Sequence, residues 1–401
     1  MGSSSSVLKT RNLARLWAAL QRPLLIVLAA AAVRLAVVGF LLAHQPPVWG
    51  TNEAAGIARQ LALGHGFASP FHDSIVRTAW LAPVYPSLLA CLFLIFGIQS
   101  VASAWAAILL NIVFASLAAA VILKLGAQHF GSVAGTIAAW AWAISPPVVV
   151  MPWLRWETSL SALVMAFVLM RTLRLNADSS AREWVACGCI WGFAALLNPA
   201  LLAPLPALAI LLAARRCPLR RVTLMLLICG LAILPWTIRN RISLGAFVPL
   251  RSNFWPEAYF GNVDFTEHPL GASMLYQREG ELAFAQDLRG RVIEHVQSNK
   301  KEFARRTAGR MVSFWTRPPQ FSPLPLLLFV TALCGIFLAL RNGREWASFA
   351  CVLGFYPLIY YLTYTFSRYR HPIEPVLYVL ASYAVAELIR SLRKAVSLAG
   401  E

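Results

Sequence analysis

Charge is scarce in this sequence: 13% of its 401 residues are Asp, Glu, Lys or Arg, about half the share found in ordinary soluble domains. Acids are the scarcer sign, 17 against 35 basic residues. Cysteine is thinly spread over Cys91, Cys187, Cys189, Cys217, Cys229, Cys334 and Cys351, and all but Cys217 stand in apolar stretches. The Cys187/Cys189 spacing does not suit a zinc knuckle, so neither a disulfide nor a metal framework is implied. Nucleotide and protease signatures are missing as well, with no GxGxxG after a strand, no Walker lysine, no HExxH and no serine elbow; cytosolic nucleotide-driven chemistry is disfavoured.

Hydrophobic residues fill the space that charge leaves, at 59% of the chain. A single soluble globule is excluded. Apolar runs near 23–43, 100–125, 132–150, 158–175, 184–200, 201–214, 222–236, 323–340, 345–363 and 372–390 are read as spans, since about 18 or more apolar residues can cross a bilayer as helix. The expected fold is all-α: a polytopic integral membrane protein of about ten transmembrane helices. No small-residue cleavage site follows the first run, which is expected to stay as the first span.

The formal charge of +18 would point to nucleic acid in a soluble protein; here its placement argues otherwise. Seventeen Lys and Arg residues, from Lys9 to Lys394, fall at every second span end, as the positive-inside rule requires. Both termini are therefore expected in the cytoplasm, and nucleic acid is not an expected partner. The run Trp80 to Phe96 holds only a short uninterrupted apolar stretch after Pro86 and reads as interfacial or re-entrant. Three regions follow. Residues 1–236 form an N-terminal membrane module whose first external loop, 44–99, carries surface helices at Glu53 to Leu63 and Val84 to Phe96. Residues 237–322 form a long external region, partly helical over Glu279 to Trp315. Residues 323–401 form the C-terminal membrane helices.

Chemistry at the external mouth depends on few polar groups. Ionisable residues beside a membrane need partners or a function. Glu53, Asp73 and Glu157 are the acids in the short external segments. Glu53 follows Thr51 and Asn52, either of which can cap a helix beginning there, so the residue reads as a helix-dipole partner or as a general base. Glu157 opens a span after Arg155 and reads as an ion-pair partner of that arginine or a helix N-terminal charge; Asp73 reads as a solvated loop carboxylate. Arg77, Arg155, Arg239, Arg241, Arg251, Arg368, Arg370 and His371 are candidate anion binders, because a guanidinium fork suits phosphate. Arg34, inside the first span, is expected to find partners within the bundle.

The order of several short motifs resembles a known group. Asn52-Glu53, Ile57-Ala58-Arg59, Gly64-His65-Gly66-Phe67 and Ala82-Pro83-Val84-Tyr85-Pro86 are followed by Arg155-Trp156-Glu157 and Pro235-Trp236-Thr237-Ile238-Arg239-Asn240. Arg251-Ser252-Asn253, Gly261-Asn262 and Ser367-Arg368-Tyr369-Arg370 complete the series. Together they resemble GT-C glycosyltransferases of the dolichyl-phosphate-mannose protein mannosyltransferase type. The resemblance implies a bacterial inner-membrane enzyme that moves a sugar from a polyprenyl-phosphate carrier to an acceptor hydroxyl on a lipid, glycan or protein outside the cytoplasm. It implies catalytic roles for Glu53 and Glu157, and phosphate binding by Arg155, Arg239, Arg251, Arg368 and Arg370, with no cofactor and no metal assigned. Many relatives carry Asp just before the first-loop acid, where this chain has Asn52. A secondary transporter or lipid flippase is the alternative, against which no matched pair of broken spans stands in the two halves.

Overall fold

The structure is a computed structural model that describes residues 17–71, 75–264, 273–316 and 323–399. Asp73 lies outside the described residues. Every apolar run read as a span folds as helix, and among the described residues the extended backbone amounts to one isolated bridge between Ala68 and Arg77.

The first loop is entered through α1 (Pro23–Leu41) and holds α2 (Glu53–Ala62) and α3 (Val84–Phe96), helices at the two positions where the sequence placed them. Asn52 starts α2 in an extended conformation, and its side chain accepts a hydrogen bond from the Ala55 N–H at 3.0 Å, satisfying one of the donors a helix start leaves orphaned. The bundle continues through α4 (Val101–Phe130), α5 (Ser132–Ile144), α6 (Thr158–Leu173), α7 (Ala181–Leu197), α8 (Leu205–Ala214) and α9 (Leu219–Leu244). Three further helices follow: α10 (Phe254–Asn262), α11 (Ser273–Ser298) and α12 (Lys300–Thr316). The chain then returns through α13 (Leu324–Arg341), α14 (Ala347–Phe355), α15 (Leu358–Leu362) and α16 (Glu374–Ala399).

Five of these segments are long and apolar enough to cross a membrane: Pro23–Leu41, Val101–Phe130, Leu219–Leu244, Leu324–Arg341 and Ser367–Leu398. A sixth arises if Ser132–Ile144 and Pro146–Leu154, bent by 60°, form one broken span. The expected count of about ten transmembrane helices is therefore not confirmed: the other apolar runs fold as helices shorter than a full crossing. Proline is the main cause. Pro146, Pro199, Pro204 and Pro357 stand where the shorter segments start or break, because proline removes an amide donor and clashes with the preceding turn.

Small residues let the helices close on one another. Gly188 and Gly192 of α7 lie against the Met225 carbonyl and Ala232 of α9, and Gly335 of α13 lies against the Leu380 backbone of α16; a Cβ at any of them would collide. Close approach of this kind is how helices associate where lipid offers no hydrophobic driving force. Over residues 237–322, α11 is broken at Gly280, whose φ is 81°, and the helical stretch read over Glu279 to Trp315, a helix or helix pair, is a pair: α11 and α12 meet at Asn299.

Candidate functional site

Three helix starts converge on one cavity. Glu53 is the first residue of α2, Glu157 is the N-cap of α6, and Glu257 lies in the first turn of α10. Each carboxylate thus stands at the positive end of a helix dipole. The cavity, of about 530 Å³, is lined by all three together with Thr51, Asn198, Arg251, Asn253 and Arg368. Trp156, Phe254, Phe260, Tyr360, Tyr364, Phe366 and Tyr369 supply aromatic walls.

The first loop and the Pro152–Glu157 corner are tied to each other. The Asn52 amide donates to the Arg155 carbonyl at 3.4 Å, and Arg155, in the left-handed region at φ 53°, donates to the Val48 carbonyl at 2.8 Å while stacking over Trp49. The opposite wall is fixed by a buried carboxylate. Glu281 of α11 accepts from the Ala79 N–H at 2.8 Å, the Ser252 hydroxyl at 2.6 Å, the Tyr276 hydroxyl at 2.7 Å and the Thr78 hydroxyl. Ser252 also donates its N–H to the Ala79 carbonyl at 3.0 Å. Residues 251–260 are thereby held against the first loop.

The charges in the cavity are interleaved. Arg368 lies 4.4 Å from the Trp156 ring centroid and 5.2 Å from that of Tyr369, with Glu157 and Glu53 among its electrostatic neighbours. Arg251 donates to the Trp80 carbonyl at 3.2 Å. Glu257 is the most perturbed acid: burial first, then the charge of Glu53, pushes its carboxyl up to about 7, against the pull of Arg251 and Arg368. The Asn253 amide donates to it at 3.2 Å.

Of the residues expected from sequence, Glu53, Glu157, Arg251 and Arg368 come together in this cavity. Arg155, Arg239 and Arg370 are placed elsewhere. Arg155 is committed to the corner just described. Arg239 donates to the Thr78 and Phe67 carbonyls at 2.5 and 2.6 Å and stacks on Phe67 and Trp236. Arg370 is buried, paired with Glu374 at 3.0 Å and bonded to the Trp315 carbonyl. These three guanidiniums spend their donors on backbone carbonyls or an internal acid, which a one-dimensional scan for exposed basic residues does not reveal. Glu257 does not stand out in the sequence because it is one of eight acids within residues 237–322. The one available signal was its place two residues after an aromatic pair, in the first turn after Asn253. Among the described residues, no group of three or more His, Cys, Asp or Glu side chains is arranged to hold a metal ion.

Comparison with known proteins agrees with this architecture. Residues 81–238 match the family model described as dolichyl-phosphate-mannose-protein mannosyltransferase, the group the sequence motifs resemble. No curated protein sequence matches the chain. The archaeal oligosaccharyltransferase AglB from Archaeoglobus fulgidus, solved with an inhibitory peptide and a dolichol-phosphate, superposes with a TM-score of 0.55 at 15% identity, covering 94% of this chain and 51% of that one. The same oligosaccharyltransferase tethered to an acceptor peptide containing the NVT sequon gives 0.56 at 14% identity, covering 94% and 50%. ArnT from Cupriavidus metallidurans bound to undecaprenyl phosphate gives 0.44 at 17% identity, covering 90% and 77%. The chain thus spans about half the length of the oligosaccharyltransferase it matches, and what it shares with it is the fold.

Proposed function

We propose that this protein is a glycosyltransferase that moves a sugar from a polyprenyl-phosphate carrier to an acceptor hydroxyl on the extracytoplasmic face of a bacterial inner membrane. The observation that carries the reading is the convergence of Glu53, Glu157 and Glu257 with Arg251 and Arg368 in one aromatic-walled cavity at the helix ends. Carboxylates serve proton transfer and sugar hydroxyls; guanidiniums serve a leaving phosphate.

In the step, the acceptor oxygen attacks the anomeric carbon while Glu53 takes the hydroxyl proton. The bond from that carbon to the phosphate oxygen breaks, and the lipid phosphate departs with its charge held by Arg251 and Arg368. Glu157, beside Arg368, orients that arginine. The donor energy resides in the sugar–phosphate bond, so the step as written draws on no nucleotide, and no cofactor or metal is assigned to it. Sugar, acceptor class and carrier length stay open in this reading, and both termini lie in the cytoplasm.

The decisive experiment is transfer from a polyprenyl-phosphate sugar by purified Glu53→Gln. The substitution keeps shape and removes the proton acceptor, so transfer falls by roughly 10²–10⁴-fold while donor binding changes little. Wild-type turnover in Glu53→Gln would return Glu53 to a helix-terminal charge and pass the base role to Glu157.

A further inference from the structure

Glu257 is the one acid of the cavity contributed by the external region 237–322, and it faces a second carboxylate, Glu53, across shared space. Two carboxyl groups coupled in this way do not ionise independently; environment decides which holds the proton. The two environments here are unequal. Glu53 is the first residue of a ten-residue helix, at the positive end of its dipole. Glu257 lines the cavity beside Phe254 and Phe260, is half-buried, and takes one amide donor from Asn253.

We propose that Glu257 is a positioning residue of the transfer reaction, holding the proton of the Glu53–Glu257 pair so that Glu53 stays ionised as base and the cavity stays receptive to a phosphate anion. This rests on the reading of the cavity as a lipid-phosphate site. The charged neighbours of Glu257 are few. Glu53 raises its proton affinity, and Arg251 and Arg368 lower it; Tyr364 and Tyr369 feel its charge in turn. From α11, Glu281 is turned to Thr78, Ala79, Ser252 and Tyr276, and Arg289 covers Trp255. From α12, Arg310 is bonded to Gly261 and Asn262. Burial and the Glu53 charge place the Glu257 midpoint at about 7, so a rise in pH through neutrality adds one negative charge to the cavity.

The consequence is read in binding, not turnover. Undecaprenyl phosphate binding to the full chain in detergent is followed from about pH 6 to about pH 8.5 in wild type, Glu257→Gln and Glu257→Asp. The ligand's own ionisation is common to all three. Affinity should fall across this range by roughly tenfold more in wild type than in Glu257→Gln, the worth of one added charge at the cavity's effective dielectric, and Glu257→Asp should restore the steeper fall. The reciprocal variant Glu53→Gln, which removes the neighbouring charge, should move the steep limb to lower pH. Parallel curves in wild type and Glu257→Gln would overturn the positioning role while leaving the lipid-phosphate site intact; no binding by any of the four proteins would overturn both readings.

Discussion

Arg34 gives Trp142 the hydrogen bond that Pro146 cannot. In an uninterrupted helix the N–H of residue 146 would reach the carbonyl of residue 142, and that of 147 the carbonyl of 143. Here both donors are prolines. The buried Arg34 guanidinium donates instead to the Trp142 carbonyl at 3.1 Å and the Ala143 carbonyl at 3.1 Å. The bent segment is therefore closed by a side chain from α1. Leaving a buried carbonyl unpaired costs about 1–3 kcal/mol. Arg34→Met should lower the thermal midpoint measurably in detergent, and Arg34→Lys, with a single nitrogen in place of the fork, should recover only part of the loss. Equal midpoints for wild type and Arg34→Met would show that water or lipid satisfies those carbonyls.

A second tie, between Asn52 and Arg155, sets the relative placement of Glu53 and Glu157. The Asn52 side chain caps α2 through Ala55 and bonds the corner ahead of α6 through the Arg155 carbonyl. Asn52→Ala loses the cap, a change of about 0.5–2 kcal/mol, and frees the α2 start to shift against α6. The expected signature is a drop in kcat with little change in the donor's KM, because Arg251 and Arg368 are untouched. A pure loss of stability, with kcat intact at low temperature, would make the tie architectural only.

Much of the architecture was legible before any coordinates. Apolar runs marked every bundle helix, and proline-punctuated Ala82–Pro86 marked the short helix Val84–Phe96. The exact lengths were not legible, since hydropathy windows read through Pro146 and Pro357, where the backbone breaks. The acids Glu53 and Glu157 were visible as rare charges at apolar borders. The arginines divided differently: Arg251 and Arg368 face the cavity, whereas Arg239 and Arg370 satisfy carbonyls and an acid brought near by folding. Glu257 and Glu281 carry the same charge in the same region, yet one lines the cavity and the other anchors a wall. Only the three-dimensional path of residues 251–298 separates them.

Orientation across the membrane is testable from the charge asymmetry. With basic residues concentrated at Arg215 to Arg221 and Arg390 to Lys394, those segments should be cytoplasmic and α10–α12 external. In a background lacking the native cysteines, a cysteine introduced in the exposed turn at Asn299 should react with an impermeant reagent from outside. Cysteines at Arg216 and Arg393 should react only after permeabilisation. The reverse pattern would invert the topology and place the cavity on the cytoplasmic side.

Arg368 and Arg370 stand two residues apart and should fail in different ways. Arg368 stacks on Trp156, Phe366 and Tyr369 and lines the cavity, where a guanidinium can meet a phosphate. Replacing it by Ala removes a charge-assisted contact of about 1.5–3 kcal/mol, so polyprenyl-phosphate binding should weaken by roughly 10- to 150-fold with a near-normal unfolding midpoint. Arg370 is instead enclosed with Glu374 and His371. Arg370→Ala leaves Glu374 buried beside His371 without its guanidinium, and breaking such a pair costs about 3–5 kcal/mol. That variant should express poorly or melt early, while Arg370→Ala paired with Glu374→Gln should regain part of the stability because no unpaired buried charge remains. Donor affinity per folded molecule should be unchanged in the double variant. If it fell as far as in Arg368→Ala, Arg370 would rejoin the phosphate-binding set that the sequence motif implied.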